Sequence, residues 1–352
     1  MRPVFRLLAG GVDITANIQD RLLSLTYKDE AETKSDSLSI KLDDRPDRET
    51  GAHVALPVVG TRLDLSLGYA ETGLVAMGSF TVDEIKHSGP TAVLEVGAKA
   101  ADMAGPFRSP TSKSWDGTTL GAIAQEIAEA HGYTAKTDPK LGAVRVEHED
   151  QTNESPMAFL NRLAAKHDGI AKPVNGFLVL APKGTAKSVT GQSLPALSLR
   201  PERLSTWQIS YSARKEAGEA AKTETPAAGS GGRVRTAYWD KDAARMVEVT
   251  EGGPPYQNTR FACADAKAAK AEAATMKNGQ DRQKAKLTIA CIGDPAFQAE
   301  QRLTLAGFRP GLPTDWRVTK VEHKLEKGGY SCAIEAEAFH ENQADVASKS
   351  RE

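Results

Sequence analysis

Apolar and polar positions alternate along this chain with two different periods, and the changes of period divide it into three parts. Up to about residue 105 the period is two. Leu38, Ile40 and Leu42 alternate with polar residues, as do Leu63, Leu65, Leu67 and Tyr69, and Phe80, Val82 and Ile85 follow Met77-Gly78. After the turn residues Ser88-Gly89-Pro90 come Leu94, Val96 and Ala98, and Gly10-Gly11 separates residues 5–8 from 12–15 as a hairpin signal. Such alternation buries one face of each strand. Roughly six or seven short strands in about 100 residues predict a small sandwich or closed barrel, and closure would also remove exposed edges.

In the centre the period changes to that of a helix, and one small pattern occurs twice. The first copy opens at Trp115-Asp116-Gly117-Thr118, places Leu120, Ile123, Ala124 and Ile127 on one helical face, and stops at His131-Gly132. Extended pieces are predicted at 133–136 and 144–148. The second copy opens at Glu154-Ser155-Pro156, with Ser155 as N-cap and Pro156 at the first helical position, where a missing N–H costs nothing. Met157, Phe159, Leu160, Leu163 and Ala164 form its buried stripe, and Asp168-Gly169 ends it. Extended pieces at 170–174 and 177–181 are joined by Asn175-Gly176, a strong hairpin signal. The centre therefore reads as helix–strand–strand, twice. Residues 105–113, with Pro106 and Pro110, read as a loop leading into it.

Beyond Pro182 a polar, proline-punctuated stretch precedes renewed β character at Trp207, Ile209 and Tyr211. Residues 213–232, rich in Ala, Glu, Lys, Gly and Ser, read as a flexible excursion. A strand pair is expected at 233–239 and 245–249 around Asp240-Lys241, and a helix over 259–277 stopped by Asn278-Gly279. Leu287, Ile289 and Cys291, then Leu303 and Leu305, then Trp316, Val318 and Val321, and finally 332–339 restore the period of two. The fold class expected is mainly β with an α+β insert. Residues 1–110 form a first β-barrel module, 111–185 the insert, 186–341 a second β-barrel module with the helical excursion at about 259–278, and 342–352 a polar tail.

Length and composition change this picture little. At 352 residues the chain exceeds one ordinary core. Its 45 basic and 46 acidic residues leave a net charge of -1, which argues against a nucleic-acid binder relying on bulk electrostatics. No run of about 18 apolar residues occurs, so no membrane anchor is expected. The first residues, broken by Arg6 and followed by Asp13, are too short and polar for a secretory signal. Cys263, Cys291 and Cys332 lie far apart, as buried reduced thiols in a cytoplasmically made protein do.

Candidate chemistry is incomplete wherever it begins. His148-Glu149 opens like the zinc motif H-E-x-x-H, but Thr152 stands where the second histidine belongs. His167-Asp168, just before a glycine, reads as helix-capping material. The histidines (His53, His87, His131, His148, His167, His323, His340) show no ligand spacing and no partner serine. Gly184 to Ser188 lacks the first glycine of a phosphate loop, and 227–232 lacks the helix that a phosphate cradle needs. Asp43-Asp44-Arg45-Pro46 reads as a turn, and the carboxylate pair Glu147 and Glu149 has no companion base. The scattered tryptophans read as core or interface anchors. The expectation is no catalytic, cofactor-binding or metal residue, no cofactor and no enzymatic activity.

One further reading rests on an ordered series of phrases. These are Asp13-Ile-Thr with Ile18 and Leu22, Asp36 to Arg45, Leu67-Gly68, Met77 to Glu84, Gly89-Pro90, Ala98 to Met103 and Ser114 to Gly121. They continue with His131-Gly132, Glu154 to Ala164, Asn175-Gly176, Trp316, Val321-Glu-His323 and Gly329-Tyr330. The series resembles the phage late control gene D protein family, the baseplate hub of contractile phage tails and tailocins, over nearly the whole chain and most weakly at 183–285. The resemblance implies a homotrimer in which each subunit supplies two related β-barrel domains. These form a pseudo-sixfold ring that joins the hexameric tail tube to a trimeric spike, with the insert outside the ring. It is an architecture shared with the N-terminal part of type VI secretion spike proteins. Implied partners are the chain itself, the spike and the tube or tube-initiator protein, with the tape measure and neighbouring baseplate proteins as further candidates. No specific nucleic-acid binding is implied. The location implied is the virion baseplate, after synthesis and assembly in the host cytoplasm. The alternative is a tail-associated cell-wall-binding or cell-wall-degrading protein, against which the chain lacks the roughly 120 extra residues of a separate hydrolase domain.

Overall fold

The period-two segments at the start of the chain fold as β1 (Pro3–Ala9), β2 (Val12–Asp13), β3 (Leu22–Glu30), β4 (Ser37–Asp43), β5 (Arg62–Tyr69), β6 (Gly73–Ser88) and β7 (Val93–Lys99), with one helical turn α1 (Thr15–Ile18) after β2. A computed structural model describes residues 1–31, 35–46, 51–100, 107, 109–174, 176–184, 194–211, 234–252, 256–260 and 262–339. Alternate side chains are buried as the pattern requires, Leu38, Ile40 and Leu42 on β4 and Leu63, Leu65 and Leu67 on β5. Gly10 and Gly11 take φ of 56° and 86°, which lets the β1–β2 turn close. Strand β3 is not among those expected from the sequence. Only Leu25 and Tyr27 alternate clearly before the charged end Lys28-Asp29-Glu30, and it is a long-range neighbour that makes this segment a strand.

The insert consists of β8 (Thr111–Thr119), α2 (Leu120–Ala130), β9 (Thr134–Thr137), α3 (Pro139–Gly142), β10 (Arg145–Glu154), α4 (Pro156–Lys166), β11 (Gly169–Val174) and β12 (Phe177–Pro182). Thr119 and Ser155 cap α2 and α4, each accepting from the backbone N–H three residues on, and Pro156 opens α4 as expected. Two features differ from expectation. Residues 111–118, read as the end of a linker and the opening of a helix, are strand β8, because β10 supplies a partner along their length. One pairing also crosses between the two copies: β12 joins β9 parallel in addition to β11 antiparallel, while β10 joins β8. Asn175 lies outside the described residues, while Gly176 has the positive φ of 80° that the β11–β12 turn needs. Both helices bury their stripes in one core with Trp115, Leu141, Leu178 and Leu180.

The rest comprises β13 (Leu197–Leu199), β14 (Leu204–Tyr211), β15 (Val234–Asp240), β16 (Arg245–Glu251), β17 (Gln257–Asn258), α5 (Ala266–Gln283), β18 (Ala285–Ile292), β19 (Arg302–Leu305), β20 (Asp315–Glu326) and β21 (Gly329–Ala338). Strands β15 and β16 form the expected pair. The helix begins later than expected and runs through Asn278-Gly279. Asp265 fixes its start by accepting from Ala268 N at 2.7 Å, and the buried Asp281 and Arg282 hold its last turn beyond the glycine. Residues 213–232 and the tail from 342 lie outside the described residues.

Two strand series share one sheet. Their order runs β14-β18-β21-β20 and then β3-β4-β7-β6-β5-β1-β2, with β19 on β20 and β13 on β19. Among the described residues this path is open and no closed barrel occurs, because β3 and β20 pair with each other where each could have closed its own series. The series also run in the same strand order, β3-β4-β7-β6-β5-β1 against β14-β18-β21-β20-β19-β13, and the pairings agree in sense except the last, where β1 joins β5 antiparallel and β13 joins β19 parallel. Single-residue irregularities fall at the same places: Leu22/Ser24 against Leu204/Thr206, and Val82/Glu84 against Val318/Lys320. Even the bonds just before β5 and β19 correspond, Gly60 N and Glu300 N donating to Val82 O and Val318 O. Bulges insert one unpaired residue and re-aim a strand, so a shared bulge marks a shared backbone path. One apolar core runs through both series, from Leu7 and Phe80 to Trp316 and Ile334.

Candidate assembly surface

Among the described residues, the fold draws together no group of three or more His, Cys, Asp or Glu placed to hold a metal ion. His148 and Glu149 lie on strand β10 and point to opposite faces. His148 sits exposed between Asp116 (2.6 Å) and Asp150 (3.3 Å), while Glu149 turns to Arg162 (3.1 Å) and Lys166 of α4. A zinc H-E-x-x-H motif needs helical spacing to bring its ends together, and a strand does not supply it. The hydrogen bond to Asp116 and the charge of Asp150 raise the His148 pKa. His53 and His87 both approach Asp44, at 3.4 and 3.3 Å. His131 packs on Phe107, and His340 lies outside the described residues. Of the fragment resembling a phosphate loop, only Gly184 is described.

The buried titratable groups are structural in their surroundings. His323 accepts from Tyr330 OH at 2.7 Å through Nδ1 and donates from Nε2 to Phe297 O at 3.1 Å. Burial pushes its pKa down to about 4, so the ring is neutral. Cys291 and Cys332 are direct cross-strand partners in the core, and burial raises their thiols to about 11 and about 12. Cys263, expected to be buried, is only half-buried and donates to Glu272 at 3.0 Å.

Sequence reasoning missed the joint between the insert and the sheet. Lys172 of β11 reaches Asp36 at 2.6 Å and Asp29 at 3.7 Å, and donates to the Glu30 carbonyl. Burial works against its ammonium, but the Asp36 and Asp29 charges outweigh it and raise the Lys172 pKa. Asp168, which follows α4 with φ of 52°, takes both Nη atoms of Arg282 from α5, and Arg282 also approaches Glu337 at 3.5 Å. Arg317 completes the cluster on Glu300 and Glu337, each at 3.1 Å. Lys172 and Asp36, and Arg282 and Asp168, are more than 100 positions apart in the sequence, so no local spacing could have announced them. A cleft of about 720 Å³ lies beside this joint, lined by Asp29, Asp36, Asp64, Lys136 and Lys172 among others. Its central charges are already paired with one another.

Large apolar side chains stay exposed on several strands, and also at Leu56, Val58 and Val59 in the loop before β5. Trp207 is 45% and Tyr211 66% exposed on β14, and Ile292 is 73% exposed at the end of neighbouring β18. Trp239 and Met246, opposite each other on β15 and β16, are half exposed. The other two tryptophans, Trp115 and Trp316, are buried. Strand β14 also carries no charged residue and no proline, although it ends the sheet path among the described residues. Exposed edges are usually blunted by such residues, and an unblunted one is suited to pairing with another chain. The arrangement of β14 is suited to contact with another protein chain.

The chain is similar to known phage tail proteins. The chain is 28% identical over 366 residues to a probable baseplate hub protein of Escherichia phage P2, covering 96% of this chain and 93% of that one. Among solved structures it is similar to the 43 kDa tail protein of prophage MuSo2 from Shewanella oneidensis, with TM-score 0.68 at 13% identity over 95% of this chain and 98% of the other. It is similar too to an E. coli component of the type VI secretion system, with TM-score 0.54 at 12% identity, covering 97% and 78%. Likeness at such low identity speaks for the fold alone. Residues 35–329, however, match the family described as phage tail baseplate hub (GPD), and the chain belongs to that family.

Proposed function

We propose that this baseplate hub protein works as a homotrimer that joins the hexameric tube of a contractile phage tail or tailocin to a trimeric central spike. The observation that carries this reading is the pair of strand series with one order and shared bulges, joined in a single sheet. Three copies of a chain with two equivalent series present six similar units on one side, and the threefold axis remains for the spike. In this reading residues 1–110 and 186–341 are the two barrel-like modules, and 111–185 is a peripheral insert held by buried ion pairs. Residues 342–352 are a polar tail.

Subunit contacts, rather than catalysis or capture of a polyanion, are the work of such a protein, which suits its net charge of -1. Its partners are further copies of itself, the spike, and the tube or tube-initiator protein, and it becomes part of the virion after assembly in the host cytoplasm. The test is the mass of the purified protein by light scattering, alone and with its spike. A trimer, or a three-to-three complex with the spike, is expected. A monomer indifferent to spike and tube protein would overturn the reading.

A further inference from the structure

The seam between β3 and β20 has counterpart strand edges elsewhere in the chain. In β3 and β20 the register is Val321 with Asp29, Glu322 with Lys28, His323 with Tyr27 and Lys324 with Thr26. Strand β3 thereby covers the side of β20 that faces away from β21, beyond the short β19. By strand order and by bulge position, β6 is the counterpart of β20 and β14 is the counterpart of β3. Counting from the shared bulges, Ile85, Lys86, His87 and Ser88 occupy the places of Val321, Glu322, His323 and Lys324. Trp207, Gln208, Ile209, Ser210 and Tyr211 occupy those of Leu25, Thr26, Tyr27, Lys28 and Asp29.

Both counterparts lack what the originals have. No described strand pairs with the side of β6 at residues 84–88 that faces away from β7, since β5 ends opposite Thr81. No described strand pairs with β14 on the side away from β18. Burial follows: Leu25 is 0% exposed in the seam, while its counterpart Trp207 is 45% exposed. Resting on the trimeric reading above, we propose that β14 of one copy pairs antiparallel with the outer edge of β6 of the next, in the register of the β3–β20 seam. Ile85 then faces Tyr211, Lys86 faces Ser210, His87 faces Ile209 and Ser88 faces Gln208. The partner is a second copy of this chain, and the interface is heterologous. Because each step repeats the intrachain step, successive copies turn in one direction and the sheet closes on itself as a ring. The uncharged, proline-free β14 is then an edge protected by assembly instead of by its own side chains.

The experiment is cysteine cross-linking of the full chain at the Lys86–Ser210 pair, the counterpart of Glu322 and Lys28, which lie 3.4 Å apart as an ion pair. The Lys86→Cys/Ser210→Cys protein is oxidised with a mild diamide oxidant, which takes up the two thiol protons and two electrons as the disulfide forms. It is compared on non-reducing gels with each single variant and with the displaced pair Glu84→Cys/Ser210→Cys. A covalent trimer from the matched pair, absent from the other three, is expected. In parallel, Ser210→Lys, which sets a like charge against Lys86, lowers trimer affinity at least tenfold, while Ser210→Glu does not. A trimer by light scattering in which the matched pair fails to link, or links only within one chain, would overturn this seam and leave the hub reading intact. A protein that is monomeric under every condition, with and without spike, would remove the hub reading and this seam with it.

Discussion

Where β3 meets β20, the two strand series join through a backbone ladder and bury Leu25, Tyr27, His323 and Val321 in a core continuous on both sides. Where the insert meets the sheet, the contact is Lys172 on Asp36 and Arg282 on Asp168. The first joint draws mainly on apolar burial, with one partly exposed ion pair across it, Lys28 to Glu322 at 3.4 Å. The second holds desolvated charges, whose mutual attraction mainly offsets the cost of removing them from water. An apolar seam therefore gives stability, and a buried ionic one gives a defined position.

The largest effect should come from the apolar side. Trp316 is fully buried and spans the core of the second series, so Trp316→Ala should cost about 3–5 kcal/mol in denaturant unfolding. A loss below about 1 kcal/mol would show that this core is not shared as described.

On the ionic side, Arg282→Met leaves the buried Asp168 carboxylate without its guanidinium and should cost about 3 kcal/mol. Adding Asp168→Asn should recover most of that loss, because the penalty lies in the orphaned charge. Strict additivity of the two substitutions in a double-mutant cycle would contradict this account.

Acid separates the joints next. The folded-state pKa of His323 is about 4 against an ordinary 6.5, so the folded protein binds this proton less readily than the unfolded chain. Its contribution is complete above pH 6.5 and is lost as the pH falls toward 4, amounting to about 2 kcal/mol by pH 5. Asp36 acts in the opposite sense: burial, and then the Asp29 charge, raise its carboxyl to about 6, so its contribution grows as the pH falls. Comparing stability curves of the native protein and His323→Gln isolates the histidine. The variant should lack the histidine's share of the decline below pH 6.5, and parallel curves would refute the assignment.

The smallest effect on the isolated chain should be at the uncovered edge. Tyr211→Ser should change unfolding free energy by no more than about 0.5 kcal/mol, as surface substitutions do. The same variant should weaken self-association in sedimentation, which Trp316→Ala would do only by unfolding the chain.

Much of the fold was legible because its signals are local. The alternation at Leu38-Ile40-Leu42, the Ser155 cap and the stripe from Met157 to Ala164 each determine their element within a few residues. Where the outcome depends on a distant partner, local reading failed. Strand β8 exists because β10 lies beside it, and α5 passes Gly279 because Arg282 is anchored on Asp168. Gly279 alone costs about 1 kcal/mol in a helix, which one buried ion-paired anchor can outweigh.

The assembly surface divides in the same way. That Trp207, Ile209 and Tyr211 share one strand face was visible in their spacing, and so was the absence of charge around them. Their exposure was not visible, because the same alternation describes a strand covered on both edges, as β3 is. Periodicity, capping residues and the order of short phrases determined the elements and the family, since those are properties of neighbouring positions. The pairing of β3 with β20, the ion pairs that seat the insert and, among the described residues, the edge left open at β14 were decided only by the tertiary structure. Each depends on which distant backbone or charge arrives to satisfy a group, and a linear chain does not contain that information in any one stretch.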